Sequence, residues 1–305
     1  MKKLIALLLA IPIIAALLPW SVCAISPIDT DRASSLTLHY RYNGEPFADL
    51  EIKTYRVAAI YADGTYALTG AFKDYPVNIY GITTAAEWRQ VTTTLAAYAV
   101  ADKLSPTETK PTDHNGMVVF DKITTGMYLT LAVRVEEQGR VTLFESFLTS
   151  VPNPDENGKM QYDVTAYPKC EQFEPTPEGI EYKIVKQWKD SGNTHARPDE
   201  VQVDILRNGE LQSTQTLSAG NNWCYRWTAP EDGSQWQAVE RQIADVYTVT
   251  IEENGTAILI TNVYNVPEKP PQTGETAVLW PYVLAMCIAG GVIMVLAMGR
   301  RRGEE

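Results

Sequence analysis

Side chains that bind metals or act as nucleophiles are few and scattered in this chain of 305 residues. The three histidines are His39, His114 and His195, and no cluster of His and Cys has the spacing of a metal site. No glycine-rich loop of the kind that holds phosphate groups is present either. We therefore expect no metal, no cofactor and no catalytic constellation typical of an enzyme.

The composition excludes two further classes of protein. The chain has 26 Lys plus Arg against 37 Asp plus Glu, a formal net charge of −11, which argues against binding the anionic backbone of a nucleic acid. Apolar residues make up 45% and charged residues 21%, an average globular mix that argues against extensive disorder.

The N-terminus has the three-part layout of a secretory signal. Two lysines precede an uncharged apolar stretch at 4–18, and small residues follow at 22–24. We expect residues 1–24 to be removed after export. One alternative is a membrane anchor that stays attached. Another is a lipoprotein acylated at Cys23, although Trp20 and Val22 fit poorly beside a lipidated cysteine.

The C-terminus predicts a membrane span. Residues 278–298 carry no charge and are numerous enough to cross about 30 Å of hydrocarbon as one helix. Three arginines follow at 300–302, and positive residues beside a span stay on the cytoplasmic side, so 299–305 is expected to be a cytoplasmic tail. Residues 25 to about 276 are then expected outside the cell.

A stalk at 267–277 precedes this span and contains a four-residue motif. Its members are Pro271, Gln272, Thr273 and Gly274. Motif, span and arginine-rich tail together resemble the cell-wall sorting signal of Gram-positive surface proteins. The resemblance implies that a sortase cuts between Thr273 and Gly274 and joins the threonine to an amine. Pro270 stands where that family usually has Leu, which indicates weaker recognition or another sortase class. The alternative is a plain single-span membrane protein.

Strand-like runs fill the extracellular part, because short stretches rich in Val, Ile, Thr and Tyr alternate with Gly, Asn and Asp turns. These runs lie at 35–42, 50–60, 116–120, 127–135 and 246–252. A Pro- and Glu-rich linker at 171–179 separates a segment at 34–170 from one at 180–266. We expect an all-β fold of two tandem, immunoglobulin-like antiparallel sandwiches.

One stretch of the first segment predicts a helix. Thr84 and Glu87 are spaced as a capping box. The apolar residues that follow at helical spacing are Trp88, Val91, Leu95 and Tyr98. We expect a helix of about 15 residues inserted in the first sandwich, with its aromatic side chains in the core rather than in a ligand site.

The second segment carries a series of landmarks in a fixed order. They are Lys186 and Trp188 in the first strand, Arg197 and Pro198 before the apolar strand at 201–206, the strand at 236–240, and Ile260, Thr261 and Asn262 in the last strand. Over nearly the whole segment this series resembles the B-type repeat of collagen adhesins and pilins, the Cna B-type domain.

The resemblance implies an intramolecular isopeptide bond between Lys186 and Asn262, with Glu240 as its catalytic acid. Burial disfavours the charged forms of an amine and a carboxyl, so Lys186 would be a neutral nucleophile and Glu240 would polarise the Asn262 carbonyl. Lys183 is the competing nucleophile, but its offset of three residues places it on the other face of the strand. The alternative is that these are ordinary surface and turn residues.

The first segment ends in Tyr167, Pro168 and Lys169, which more loosely resembles a pilin motif whose lysine receives the sortase-bound threonine of the next subunit. Lys169 is therefore a candidate pilin lysine, although two other positions of that motif differ. The expected first strand of this segment has no lysine, so we assign it no isopeptide bond. Cys170 and Cys224 are the only cysteines between signal and span, and their pairing stays open.

Together these features indicate a cell-surface structural protein of a Gram-positive bacterium, either a pilin subunit or a wall-anchored stalk. Its expected partners are a sortase and either peptidoglycan or other pilin subunits. The alternative is a monomeric wall-anchored adhesin that binds a host extracellular protein or glycan.

Overall fold

The computed structural model describes residues 27–265, and strands dominate this part of the chain. We call residues 27–173 the N-terminal half and residues 176–264 the C-terminal sandwich. The strands of the N-terminal half are β1 (Ser34–His39), β2 (Arg41–Tyr42), β3 (Glu45–Pro46), β4 (Glu51–Ile60), β5 (Tyr66–Leu68), β6 (Glu108–Pro111), β7 (Met117–Ile123), β8 (Gly126–Thr130), β9 (Val133–Glu137), β10 (Arg140–Phe144), β11 (Phe147–Val151), β12 (Asn153–Pro154), β13 (Met160–Gln161), β14 (Asp163–Ala166) and β15 (Cys170–Phe173).

Helix α1 (Ala85–Ala101) is the one α-helix within residues 27–265, as expected from its spacing. Its capping box is formed: the Thr84 hydroxyl accepts from the Glu87 N–H, and the Glu87 carboxylate accepts from the Thr84 N–H. Val91, Leu95 and Tyr98 are buried, which agrees with the predicted core role. Short 3-10 helices lie at Gly70–Phe72, Thr194–Ala196 and Ala219–Asn221.

The sheets of the N-terminal half are small and mainly antiparallel. Their strand orders are β14-β1-β7, β15-β10-β9 and β11-β8-β4-β5, with β6 also paired to β4. The exception is β1, which runs parallel to β14 and so brings together the beginning and the end of this half. The expected strand at 127–135 is in fact two strands, since β8 pairs with β4 and β11 whereas β9 pairs with β10 in another sheet. Between them the Ala132 N–H donates to the Ser146 hydroxyl.

The C-terminal sandwich consists of two facing sheets. Its strands are β16 (Thr176–Lys189), β17 (Glu200–Arg207), β18 (Glu210–Ser218), β19 (Cys224–Glu231), β20 (Trp236–Arg241), β21 (Tyr247–Asn254) and β22 (Ala257–Tyr264). One sheet has the order β19-β16-β22-β21 and the other has the order β18-β17-β20. The first and last strands, β16 and β22, lie side by side and parallel.

The segment at 171–179, expected to be a linker, is mostly strand. Residues up to Phe173 belong to β15 and pair with β10, and β16 begins at Thr176. The Pro and Glu content that suggested a linker is compatible with strands whose residues are mainly exposed. A buried apolar cluster also extends from Leu95 of α1 to Ile184 and Ile205 of the C-terminal sandwich.

Several expectations fall on residues that the structure does not describe. These are the secretory signal at 1–24, the sorting motif at 271–274, the span at 278–298 and the tail at 299–305. Within residues 27–265, no helix combines the length and apolar character needed to cross a membrane.

Gly116 provides a test of the packing between β7 and the chain after β1. Its backbone φ is +69°, and a Cβ there would overlap the carbonyl oxygen of Tyr40. Gly158 has a similar φ of +77° but open space around it. We expect Gly116→Ala to lower the free energy of unfolding by about 3 kcal/mol and Gly158→Ala by about 1 kcal/mol, since only the first adds a clash to the backbone strain. Urea denaturation measures both values, and equal losses would contradict the close approach.

Candidate functional site

Three buried polar side chains meet inside the C-terminal sandwich. Lys186 lies on β16, Glu240 on β20 and Asn262 on β22, and these residues are 4%, 2% and 1% exposed. Lysine and glutamate are rarely buried to this extent unless they are paired, because the charged forms lose their hydration. The structure thus brings together the three residues that the sequence assigned to a cross-linking site.

Strand alternation and register explain this meeting. Lys186 follows the fully buried Ile184 at an interval of two, so its side chain points into the sandwich. On the adjacent parallel strand Asn262 lies opposite Trp188, which puts its side chain on the same inner face. Glu240 comes from the facing sheet, where it lies two residues after the fully buried Ala238 and therefore points to the same inner face.

The carboxyl group of Glu240 lies between the other two groups. Its Oε2 is 3.6 Å from Lys186 Nζ, and its Oε1 accepts a hydrogen bond of 2.8 Å from Asn262 Nδ2. Among the described residues, neither Glu240 Oε2 nor Asn262 Oδ1 has a hydrogen-bond partner. The glutamate therefore contacts both the amine and the nitrogen of the amide, and it retains an oxygen that can exchange a proton.

Burial shifts both ionisable groups towards their neutral forms. It lowers the pKa of the Lys186 ammonium to about 8, although the charge of Glu240 opposes this shift. It also raises the pKa of the Glu240 carboxyl, with Lys186 and the hydrogen bond from Asn262 acting in the opposite direction. The cause is the same for both, because an apolar core stabilises an ion less than water does.

The indole of Trp188 forms one wall of the site. Lys186 Nζ lies 3.9 Å from the centre of the ring, and the guanidinium of Arg197 lies 5.7 Å from it. Arg197 is held by a two-pronged ion pair with the buried Asp190. In the sequence Trp188 and Arg197 stand out only as landmarks of the resemblance, and Asp190 does not stand out at all. The separation of Asp190 and Arg197 by seven residues, across the turn after β16, gave no signal of their pairing.

This arrangement is suited to acyl transfer from an amide to an amine. A neutral Lys186 is a nucleophile, whereas the ammonium is not. A protonated Glu240 can donate to the amide, and its carboxylate can accept a proton from the attacking nitrogen. Lys183, the competing lysine, lies on the opposite face of β16, since it alternates with the buried Ile184 and Lys186.

The other candidate residues lie elsewhere. Lys169 is exposed on the connection between β14 and β15, and its backbone carbonyl accepts from the Glu145 N–H at 2.9 Å. Tyr167, two residues earlier, is 71% exposed and stacks on His39. Cys170 and Cys224 are free thiols in this structure. The sorting residues from Pro271 to Gly274 lie beyond the described range.

Comparison with known proteins agrees with the resemblance seen in the second segment. Residues 182–263 match the family model described as the Cna protein B-type domain. The collagen adhesin of Staphylococcus aureus is 28% identical over 108 residues, which cover 33% of this chain and 9% of that protein. The resemblance of this segment to the Cna B-type domain is therefore confirmed. The chain spans only about a tenth of its adhesin relative.

Two solved structures that resemble this chain are a repeat unit of a collagen-binding protein and a pilin. A single B repeat unit of the collagen-binding surface protein of Staphylococcus aureus overlaps 76% of this chain and 99% of its own, at 15% identity and a TM-score of 0.27. The major pilin SpaD of Corynebacterium diphtheriae overlaps 78% of this chain and 66% of its own, at 18% identity and a TM-score of 0.31. Both scores are too low to carry a functional argument.

The lowered pKa of Lys186 predicts an unusual pH dependence in a chain that keeps the lysine but lacks the amide. Asn262 does not contribute to this shift, so we expect Asn262→Ala to keep the pKa of the buried lysine near the parental value of about 8, against the ordinary value of 10.5 for the unfolded chain. Between these values the unfolded state binds more protons, so the free energy of unfolding should rise with pH by up to about 1.4 kcal/mol per unit.

Urea denaturation of Asn262→Ala across this pH window measures the slope. The matched control is Lys186→Met combined with Asn262→Ala, which retains every other titrating group. The difference between the two slopes reports Lys186 alone. Equal slopes of unfolding free energy against pH in the two variants would mean that the pKa of Lys186 is not lowered by folding.

Proposed function

We propose that this chain is a structural protein of the bacterial cell surface, a pilin subunit or a wall-anchored stalk. Its C-terminal sandwich is locked by an isopeptide bond between Lys186 and Asn262. The observation that carries the proposal is the buried triad of Lys186, Glu240 and Asn262, in a segment that matches the Cna B-type domain. The matched family is a domain of surface proteins, and the relative is a surface adhesin. The only chemistry that we assign to this chain is therefore the formation of its own isopeptide bond.

The reaction exchanges one amide for another without any change in oxidation state. The neutral Lys186 Nζ attacks Cγ of Asn262, and Glu240 protonates the carbonyl oxygen of the tetrahedral intermediate. Glu240 then moves the proton of the attacking amine to the departing Nδ2. The Cγ–Nδ2 bond breaks and ammonia leaves. The carbonyl double bond re-forms as the oxygen returns its proton to Glu240, and a neutral Cγ–Nζ amide remains. The 3.6 Å and 2.8 Å separations of Glu240 from the two partners support this shuttle role.

The bond would join the first and last strands of the sandwich. These strands already pair in parallel, so the cross-link requires no rearrangement of the sheet. It closes the chain between residues 186 and 262 into a loop. By the loop-entropy argument that applies to disulfides, a closure of this length stabilises the fold by about 4 kcal/mol.

The organisation around this sandwich completes the proposal. We assign residues 1–24 to an export signal, 34–170 and 180–266 to tandem extracellular domains, and 278–298 to a membrane helix that holds the precursor. A sortase then cleaves between Thr273 and Gly274. The threonine becomes attached either to peptidoglycan or to an amine of another subunit.

Lys169 is the amine that we propose for polymerisation. It is exposed and lies on a short connection between two strands, so a large enzyme can reach it. The buried Pro168 and the carbonyl contact with Glu145 hold the backbone of this connection in place. An accessible side chain on a fixed backbone favours recognition by a second protein.

A monomeric adhesin is the second candidate function. The similarity to a protein named collagen adhesin favours it, as do the exposed aromatic side chains Tyr61, Tyr80 and Tyr167 of the N-terminal half. An adhesin would bind a host protein or glycan through this half and would use the C-terminal sandwich as a stalk.

The cross-link has a direct signature in mass. Loss of one ammonia lowers the intact mass of the purified chain by about 17 Da. We expect Lys186→Ala, Glu240→Ala and Asn262→Ala each to abolish this loss, and to lower the unfolding temperature by roughly 10 °C. Mass spectrometry and calorimetry on the same samples provide both measurements.

Lys183→Ala is the matched control for the nucleophile, because it removes a lysine of the same strand from the other face. It should keep the mass loss and the unfolding temperature of the parent chain. A folded parent chain with no missing ammonia would rule out the bond and the role of Glu240.

Anchoring and polymerisation are tested together in wall extracts of the producing bacterium. If the chain is a pilin, denaturing electrophoresis should show a ladder of covalent species that Lys169→Ala collapses to monomer. Thr273→Ala should leave the protein in the membrane fraction, because the sortase then lacks its acyl donor. A uniform wall-linked monomer in the parent strain would favour the adhesin, and anchoring that is unaffected by Thr273→Ala would contradict the sorting motif.

A further inference from the structure

Helix α1, which belongs to the N-terminal half, covers one side of the C-terminal sandwich. Strand β20 is the edge of the three-stranded sheet, and β21 is the edge of the four-stranded sheet. The helix packs against both strands. Edge strands present unpaired backbone groups, so whatever covers them also fixes their position.

The edge of β21 is satisfied by groups from the N-terminal half. The Ile251 N–H donates to the Thr94 hydroxyl at 2.7 Å, and the Val249 N–H donates to the Pro76 carbonyl at 2.7 Å. Thr94 is fully buried, and its own proton goes to the Gln90 carbonyl within the helix. The hydroxyl oxygen is therefore oriented to accept from β21.

The edge of β20 is held by the same helix. The buried Tyr98 hydroxyl donates to the backbone carbonyl of Glu240 at 3.4 Å. One residue further on, Arg241 forms ion pairs with Asp102, at the end of α1, and with Asp204 of β17. Val239 projects from the same outer face as Arg241 and is nevertheless fully buried.

These contacts are made to the strand that carries Glu240 and to the neighbour of the strand that carries Asn262. Glu240 is part of β20, and Val249 of β21 is the ladder partner of Asn262. The helix thus holds the strand that carries the acid and supports the strand that carries the amide. Lys186 lies on β16, on the other side of β22 from β21.

We propose that helix α1 is a positioning element of the cross-linking site, with Thr94 and Tyr98 as positioning residues that act through β21 and β20. This inference rests on the isopeptide bond proposed above and adds that the N-terminal half is needed for its efficient formation. Acyl transfer depends steeply on the placement of the reacting atoms, and a misplacement of about 1 Å can slow a reaction about a hundredfold.

The test compares rates of bond formation in full chains. Each chain is translated in vitro with detergent, and samples are taken over time for mass spectrometry. We expect Thr94→Val combined with Tyr98→Phe to lose ammonia at least about fivefold more slowly than the parent, the factor expected for the loss of about one hydrogen bond. Near-ultraviolet circular dichroism establishes that the chains compared are equally folded.

Two further chains separate positioning from general packing. Thr93→Val with Tyr80→Phe makes the same chemical changes at a partly buried and a 63% exposed residue, and should react at the parental rate. The single variant Thr94→Ser keeps the hydroxyl that accepts from β21 and removes only the methyl group. It should also react at the parental rate.

Equal rates for the Thr94→Val, Tyr98→Phe chain and its control would overturn the positioning role while leaving the bond intact. A slow Thr94→Ser chain would also overturn it, since packing rather than the hydroxyl would then be responsible. A folded parent chain that loses no ammonia would overturn the proposed bond and this inference together.

Discussion

The burial of an amine and a carboxyl in one apolar core is the constraint on which the C-terminal sandwich depends. Lys186 and Glu240 are 3.6 Å apart, and burial lowers the pKa of the amine and raises the pKa of the carboxyl despite the attraction between them. Conversion of the amine to an amide in the proposed reaction would remove one of these charges permanently. The same apolar neighbours, among them Ile184 and Ala238, disfavour the charged pair and would therefore favour the proposed reaction.

The two parts of the chain are joined more closely than their separate strand patterns suggest. Strand β15 completes a sheet of the N-terminal half, and β16 begins the C-terminal sandwich after only two residues. Helix α1 contributes side chains to a buried cluster that also contains Ile184 and Ile251. A helix interrupting a β-rich half is understandable on this basis, since it covers edge strands of the other half.

The sequence predicted local features well and long-range contacts poorly. The helix was predictable because its capping box and apolar spacing are encoded within about fifteen residues, and the residues of the proposed cross-link lie together as the ordered landmarks predicted. The contact of Tyr98 with Glu240 joins residues 142 positions apart, and neither strand pattern indicated it. One signal was available: Val239 is apolar although it alternates with the inward-facing Glu240, which indicates a second covering layer.

The order of residues along the chain has a mechanical consequence. In a fibre linked from Lys169 of one subunit to Thr273 of the next, tension would follow β15 and β16 to Lys186, cross the amide to Asn262, and leave along β22. Only about thirty residues per subunit would carry the load, a fully extended length on the order of 100 Å. The fibre would be almost inextensible because this route is covalent throughout. Residues before Lys169 would lie off the load path, free to diverge in sequence without weakening it.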